Sequence, residues 1–345
     1  LKAHDTIFIA TRGSALALAQ ANMVLAQCRT AFPKLTFDLK IIKTTGDKLQ
    51  TASSARQTES LPKGLFTKEL EVALFKHRAD LAVHSLKDLP TALPAGLKLG
   101  AVGKRADVRD VLIYRDADFL EGWKLRARNA ELTEWSPGQS ERRGFKPKLG
   151  LKSLPAGSIV ATGSPRRKAQ LLALNPGLRV VDIRGNVVTR IQKLMARSDF
   201  DAIVLALAGL TRLNFRVTPA GNLEGDAVPE GLLATILETD EMLPCVGQGA
   251  IGIEVRENDE RISAICERLN HHNTLQSVTA ERAFLEAMGG GCQSPVGAHA
   301  EVVGEQVWMR VISFVGATVR RAEGKRSIKE AAELGRQLAG ELNWR

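Results

Sequence analysis

Through the first two thirds of the chain, short apolar runs bounded by turn residues alternate with longer stretches of helical period. Residues 6–11 (Thr-Ile-Phe-Ile-Ala-Thr) predict a strand, and Ser14 stands where it would cap a periodic helix over 15–31. The same order returns at 158–174, where Ser-Ile-Val-Ala-Thr-Gly-Ser-Pro-Arg-Arg-Lys-Ala-Gln predicts strand, short turn, Ser164 cap and helix. Extended runs at 37–43 and 178–183 then correspond, as do helical stretches at 65–77 and 186–196 and strands at 79–84 and 200–205. Two copies of a β-α-β-α-β unit predict two α/β domains with mostly parallel sheets. Beyond 271 the pattern changes. A helix over 274–288, a glycine-rich loop at 289–297 and extended runs at 302–303 and 307–314 around Gly304-Glu305 predict a small α+β domain with a hairpin.

Composition narrows the function classes. At 345 residues, with 44% hydrophobic and 25% charged, the chain has the make-up of a globular protein of two or three domains. No apolar run approaches the ~20 residues of a membrane span, and the opening Leu-Lys-Ala-His-Asp lacks the order of a secretion signal, so a cytoplasmic protein is expected. A net charge of +10 points to an anionic partner. Aromatics at 5%, a single Tyr114 and arginines set beside turns speak against nucleic acid and for a small polyanion. Cys28, Cys245, Cys266 and Cys292 lie far apart, and the adjacent His271 and His272 cannot share a helix face, so neither a metal site nor a disulfide framework is expected.

Several residues stand where chemistry is expected. In α/β sheets ligands gather at the carboxyl ends of strands, where helix N-termini offer unpaired N–H groups to anions. Arg166 and Arg167 follow the Ser164 cap and Pro165 in a first helical turn, where positive charge opposes the helix dipole by ~0.3–1 kcal/mol each. A bound anion reverses that sign; two solvated arginines are the alternative. Arg12 occupies the equivalent turn of the first copy, Arg184 ends another predicted strand in Ile-Arg-Gly-Asn, and Arg190 follows inside the next helix. Lys87 and Asp88 follow the strand at 81–83; Asp88 either caps a turn before Pro90 or offers a carboxylate to a developing cation. The segment Gly247-Gln-Gly-Ala-Ile-Gly252 matches a dinucleotide fingerprint, but 250–255 itself reads as a strand where the motif requires a helix, so no such site is expected. Cys292 sits in Gly-Gly-Gly-Cys-Gln-Ser-Pro-Val-Gly, a loop whose glycines permit close approach to something bulky.

Taken in order, Lys-Gly-Leu-Phe-Thr-Lys-Glu-Leu-Glu, Val-His-Ser-Leu-Lys-Asp-Leu-Pro, Ile-Arg-Gly-Asn, Val-Gly-Gln-Gly-Ala and Gly-Gly-Gly-Cys resemble the porphobilinogen deaminase (hydroxymethylbilane synthase) family over about residues 6–300. The resemblance implies two similar periplasmic-binding-protein-like (type II) α/β domains plus a small α+β C-terminal domain. The domains it implies are 1–103 with 248–267, holding the cofactor and substrate cleft; 104–247, with an insertion at about 119–150; and 268–345, carrying the attachment cysteine. It implies a monomer with no metal that joins four porphobilinogens on a dipyrromethane cofactor bound covalently through Cys292. Ammonia loss from each gives an electrophilic azafulvene, attacked by the terminal pyrrole. Asp88, with Lys87 and Arg12, is assigned by the resemblance to catalysis. Cofactor contacts fall on Cys292, Asp88, Lys87, Thr162, Ser164, Arg166, Arg167 and Arg184, and substrate contacts on Arg12, Ser14, Lys63, Arg167, Arg184, Arg190 and Gln248. A non-catalytic anion-binding module of the periplasmic-binding type is the alternative; it explains the repeat and the arginines and leaves Cys292 without a task. The chain departs from the family pattern at Gly163, where a second serine is usual, at Gly289, in a longer lid over 53–63, and in the insertion with Trp123, Trp135 and Arg142-Arg143.

Overall fold

The computed structural model describes residues 6–46, 67–129, 142–291, 293–316 and 318–343. Its contacts divide the chain into two compact units, Leu1–Asp107 with Leu243–Arg345, and Val108–Met242. The first contributes β1 (Ile7–Arg12), β2 (Phe37–Ile42), β3 (Leu81–Ser85) and β4 (Leu97–Val102). The chain then enters the second unit through β5 (Asp110–Arg115), β6 (Ile159–Ala161), β7 (Arg179–Val181), β8 (Ala202–Ala206), a ribbon of β9 (Arg216–Val217) and β10 (Leu223–Glu224), and β11 (Leu232–Leu237). It returns as β12 (Ile251–Arg256).

The repeat predicted from the hydrophobic pattern is present in strand order. One sheet runs β2-β1-β3-β12-β4 and the other β7-β6-β8-β5-β11, so each strand has a counterpart at the same place. The expectation of mostly parallel sheets needs correction, because two of the four pairings in each sheet are antiparallel. The reason lies in the fourth strand of each sheet. β5 follows directly on β4, and β12 follows β11, so each enters its sheet without the helical crossover that a parallel neighbour requires.

Both sheets are covered on two faces, as their buried central strands demand. In the first unit, the helices Ala15–Ala31 and Glu260–Leu269 pack on one face through Ala21, Val24, Cys28, Ile262 and Ile265, while Lys68–Phe75 covers the other through Leu70, Ala73 and Leu74. In the second, Val187–Ala196 and Leu207–Arg212 cover one face and Pro165–Leu174 the other. The buried guanidinium of Arg115 fastens this unit internally, donating to the carbonyls of Leu194, Arg143, Arg197 and Phe200 at 2.6–3.2 Å. Burial pushes its pKa down to about 10. The described part of the 119–150 insertion is also built in: Phe145 meets Tyr114 edge to face at 6.0 Å, and Leu149 N donates to the Tyr114 hydroxyl.

The C-terminal portion, part of the first unit, is an antiparallel sheet of β13 (Val296–Val303), β14 (Gln306–Ser313) and β15 (Arg320–Ser327). Its apolar face rests on the helices His272–Ala287 and Ala331–Asn343. Those helices approach so closely at Gly335 that a Cβ there would lie 2.1 Å from the Ala280 carbonyl oxygen. The fold class has the architecture expected, two similar α/β halves and a small α+β portion.

Candidate functional site

Three elements of the first unit build a pocket. β1 ends at Arg12; Ser14 caps the following helix, its Oγ accepting from Ala17 N at 3.3 Å; and β3 ends at Ser85, followed by a single 3-10 turn, Leu86–Asp88. Arg12, Ser14, Gln20, His84, Ser85 and Asp88 line an open pocket. It lies at the carboxyl ends of β1 and β3, where the chain leaves the sheet toward opposite neighbours and ligand sites of α/β folds gather. No acidic residue occupies the first turn of the Ser14 helix, so no side chain of that turn offsets its positive dipole end. Gln20 and Ser85 form the wall as a reciprocal pair, the amide donating at 2.9 Å and the hydroxyl at 3.1 Å. Beneath them His84 Nε2 meets Glu254 Oε2 at 3.0 Å, both buried. Asp88 is exposed and Lys87 half-buried.

The second unit gathers its candidates at the ends of β6 and β7. Ser164 caps the helix Pro165–Leu174 by accepting from Arg167 N at 3.4 Å, and the buried Thr162 hydroxyl accepts from Ser164 N. Arg166 and Arg167 are not the solvated pair that the sequence left open. Each donates to one oxygen of Asp110 at 2.8 Å, Arg167 also reaches the Val204 carbonyl at 2.9 Å, and all three side chains are buried. Burial alone would raise the Asp110 pKa, but the two guanidinium charges and their hydrogen bonds hold it well below the usual carboxylate range. Two guanidinium groups thus share the Asp110 carboxylate. Arg184 is exposed, and Arg190 is half-buried with Nε donating to the Gly185 carbonyl at 2.8 Å. Gly185 takes φ 117°, and a Cβ there would lie 2.8 Å from the Thr189 methyl.

Gln248 is fully buried in the returning segment, its carbonyl accepting from Arg105 Nε at 2.9 Å. The glycines around it serve the crossing: Gly247 and Gly249 have positive φ, and a Cβ at Gly249 would lie 2.6 Å from the Ala106 carbonyl oxygen. That accounts for the fingerprint-like spacing without a nucleotide, and β12 follows as expected. Cys292 and Lys63 lie outside the described residues. Burial pushes the Cys28 thiol up to about 11 and the Cys266 thiol up to about 12.

Residues 7–264 match the family model described as porphobilinogen deaminase, dipyromethane cofactor binding domain, and 275–343 match that of the porphobilinogen deaminase C-terminal domain. The chain belongs to the porphobilinogen deaminase family. Among its relatives, the porphobilinogen deaminase of Chloroherpeton thalassium is 39% identical over 94% of this chain and 86% of its own. That of Thermus thermophilus is 38% identical over 97% and 95%. The solved BenM effector binding domain with its effector benzoate is 14% identical, covering 77% of this chain and 90% of its own, with a TM-score of 0.40.

The residues present fit the family's dipyrromethane group, which bears carboxylates and pyrrole N–H donors. The first unit offers Arg12 as a cation and exposed Asp88 as an acceptor; the second offers the Arg166 and Arg167 guanidinium groups and an exposed Arg184. Sequence reasoning missed Gln20, Ser85 and Asp110. Gln20 carried a signal, a lone polar side chain on the stripe that Ala21, Val24, Leu25 and Cys28 bury. Asp110 carried a fainter one, a carboxylate opening the wholly buried strand Asp-Val-Leu-Ile-Tyr-Arg.

Proposed function

We propose that the chain deaminates porphobilinogen and joins four molecules head to tail on a dipyrromethane primer held through Cys292, releasing linear hydroxymethylbilane. The observation that carries this reading is the first unit's pocket, where a cation, a capped helix N-terminus and a carboxylate converge in a chain matching both family models. Each porphobilinogen brings an acetate and a propionate, so fixed positive charge has to accumulate with chain length. Arg12 and the helix N-terminus at Ser14 receive substrate carboxylates, assisted by Arg167, Arg184, Arg190, Gln248 and Lys63. Thr162, Ser164, Arg166, Arg167 and Arg184 hold those of the cofactor, and Lys87 supports both. The dipyrromethane, when bound, supplies the free pyrrole α-carbon for the first addition.

Asp88 accepts from pyrrole N–H and balances the positive charge that develops on the substrate ring as its carbon–nitrogen bond breaks and ammonia departs. A fixed carboxylate aimed at that charge lowers the barrier without reorganising water. The new carbon–carbon bond forms at the vacated carbon, and the attacking ring gives up its α-proton. The organisation proposed is 1–103 with 248–267, 104–247 and 268–345, each on its own sheet. A cytoplasmic monomer is proposed. Free thiols at Cys28, Cys245 and Cys266 suit a reducing compartment, and no helix among the described residues is long and apolar enough to cross a membrane.

The test is the intact mass of the denatured protein and of Cys292→Ala. An excess equal to a dipyrromethane in the parent alone supports the reading. A bare mass that stays bare after incubation with porphobilinogen removes it.

A further inference from the structure

The helix His272–Ala287 turns two adjacent stripes toward the rest of its unit. On one, Thr274 Oγ1 accepts from Arg105 N at 3.2 Å and Glu281 pairs with the Arg105 guanidinium. On the other, Leu275 and Val278 pack with Leu86 and Leu89, the residues that flank Lys87 and Asp88. One turn further along that stripe, Arg282 donates to three successive carbonyls, Leu89 at 3.2 Å, Pro90 at 2.6 Å and Thr91 at 3.0 Å. Positions 275, 278 and 282 are spaced i, i+3, i+7, so a single helix face meets the segment that carries Asp88.

The apolar contacts already hold this segment to the helix. A guanidinium spread over three carbonyls adds direction: its planar fork fixes the orientation of the peptide units immediately after Asp88. That orientation matters because Asp88 ends a single 3-10 turn, braced by Leu86 N donating to the Ala250 carbonyl and Leu89 N to that of Leu86, both at 3.1 Å. The same helix ends at Ala287, five residues before Cys292. One rigid element therefore grips the turn bearing the carboxylate and leads into the loop bearing the thiol.

We propose that Arg282 is a positioning residue for Asp88, fixing where the carboxylate stands at the end of its 3-10 turn. This rests on the role proposed above for Asp88. The experiment uses the holoenzyme, with loading confirmed by intact mass, and compares Arg282→Met, which keeps bulk and loses every donor, with Arg282→Lys, which keeps charge and loses the fork. The expected result for Arg282→Met is a kcat lower by about 10- to 100-fold with KM little changed, since a misplacement of about 1 Å costs that much. Faster hydrogen exchange at the amides of 86–93 accompanies it, and Arg282→Lys lies between. Unchanged exchange, or a loss confined to KM, overturns the proposal. On an Asp88→Asn background Arg282→Met should lower the residual rate no further; a full additional loss means that Arg282 acts elsewhere. If Asp88→Asn itself turns over normally, the role of Asp88 fails and the positioning role fails with it. If Asp88→Asn is impaired and Arg282→Met is not, only the positioning role fails.

Discussion

Arg105 and Glu281 close on each other through two contacts, Nη1 to Oε1 at 2.6 Å and Nη2 to Oε2 at 3.0 Å. The carboxylate also accepts from Gly247 N and Ala300 N, each at 2.8 Å, and is fully buried. One side chain thus ties together the link that follows β4, the segment that precedes β12 and the middle of β13.

Removing that charge should be costly, because glutamine keeps one acceptor oxygen but turns an NH2 donor toward a largely buried guanidinium and one of the two backbone N–H groups. Glu281→Gln is expected to lose about 3–5 kcal/mol of stability, the usual penalty for breaking one side of a buried pair. Urea unfolding followed by a probe in β13 would measure it. Arg105→Met combined with Glu281→Leu should recover part of the loss; a double variant no better than the sum of its parts would mean that the backbone bonds, and not the ion pair, carry the effect.

Asp110 predicts a distinctive acid response. Its folded pKa is depressed, since Arg166 and Arg167 outweigh the opposing effect of burial. A depressed carboxylate contributes stability that is fully present above its unfolded pKa of about 3.9 and is lost as pH falls toward the lower folded value. Asp110→Asn should therefore destabilise strongly at pH 7, by roughly 3–5 kcal/mol, since two buried guanidinium groups lose their anion. The gap in Tm between parent and variant should narrow below about pH 4. A gap that stays constant down to pH 3 would show that Asp110 is not the group being titrated.

How far the sequence was legible depended on whether the signal was local. The repeat was visible because both copies use the same strand, turn, serine cap and helix, and the caps Ser14 and Ser164 stand where predicted. The direction of β5 and β12 was not visible, because a strand's pattern reports its faces and not the direction of its neighbours. β15 escaped notice for another reason: Arg-Arg-Ala-Glu-Gly-Lys-Arg-Ser is a charged edge strand with almost no apolar alternation. The site divided likewise. Arg12, Ser14 and Asp88 sit at strand ends that the pattern located, whereas the engagement of Arg166 and Arg167 by Asp110 joins positions 56 and 57 residues apart.

The described thiols should sort by burial. Cys28 and Cys266 lie within the same core, with pKa values pushed up to about 11 and about 12 by desolvation, so at pH 8 neither presents appreciable thiolate. Alkylation of the native protein with iodoacetamide should leave both unmodified, and denaturation should expose both, as read by peptide mass spectrometry. Labelling of Cys28 before unfolding would mean that the helix Ala15–Ala31, whose first turn borders the pocket, opens more readily than its packing implies.

Asp88 offers the sharpest separation of stability from function. Its side chain is exposed on a one-turn segment, so replacement should alter folding by no more than about 0.5 kcal/mol, as for ordinary surface positions. If the carboxylate meets positive charge that exists only as ammonia leaves, its loss should instead appear in the chemical step. Removing one preorganised group of that kind costs about 10²–10³ in kcat. Asp88→Ala is therefore expected to unfold at the parent's Tm while single-turnover elongation slows by that factor, and Asp88→Glu, with its charge displaced by one methylene, should fall between. Normal single-turnover rates in Asp88→Ala would exclude the carboxylate from the chemistry and leave it a turn cap; a slowed rate accompanied by an equal fall in stability would point to the turn itself.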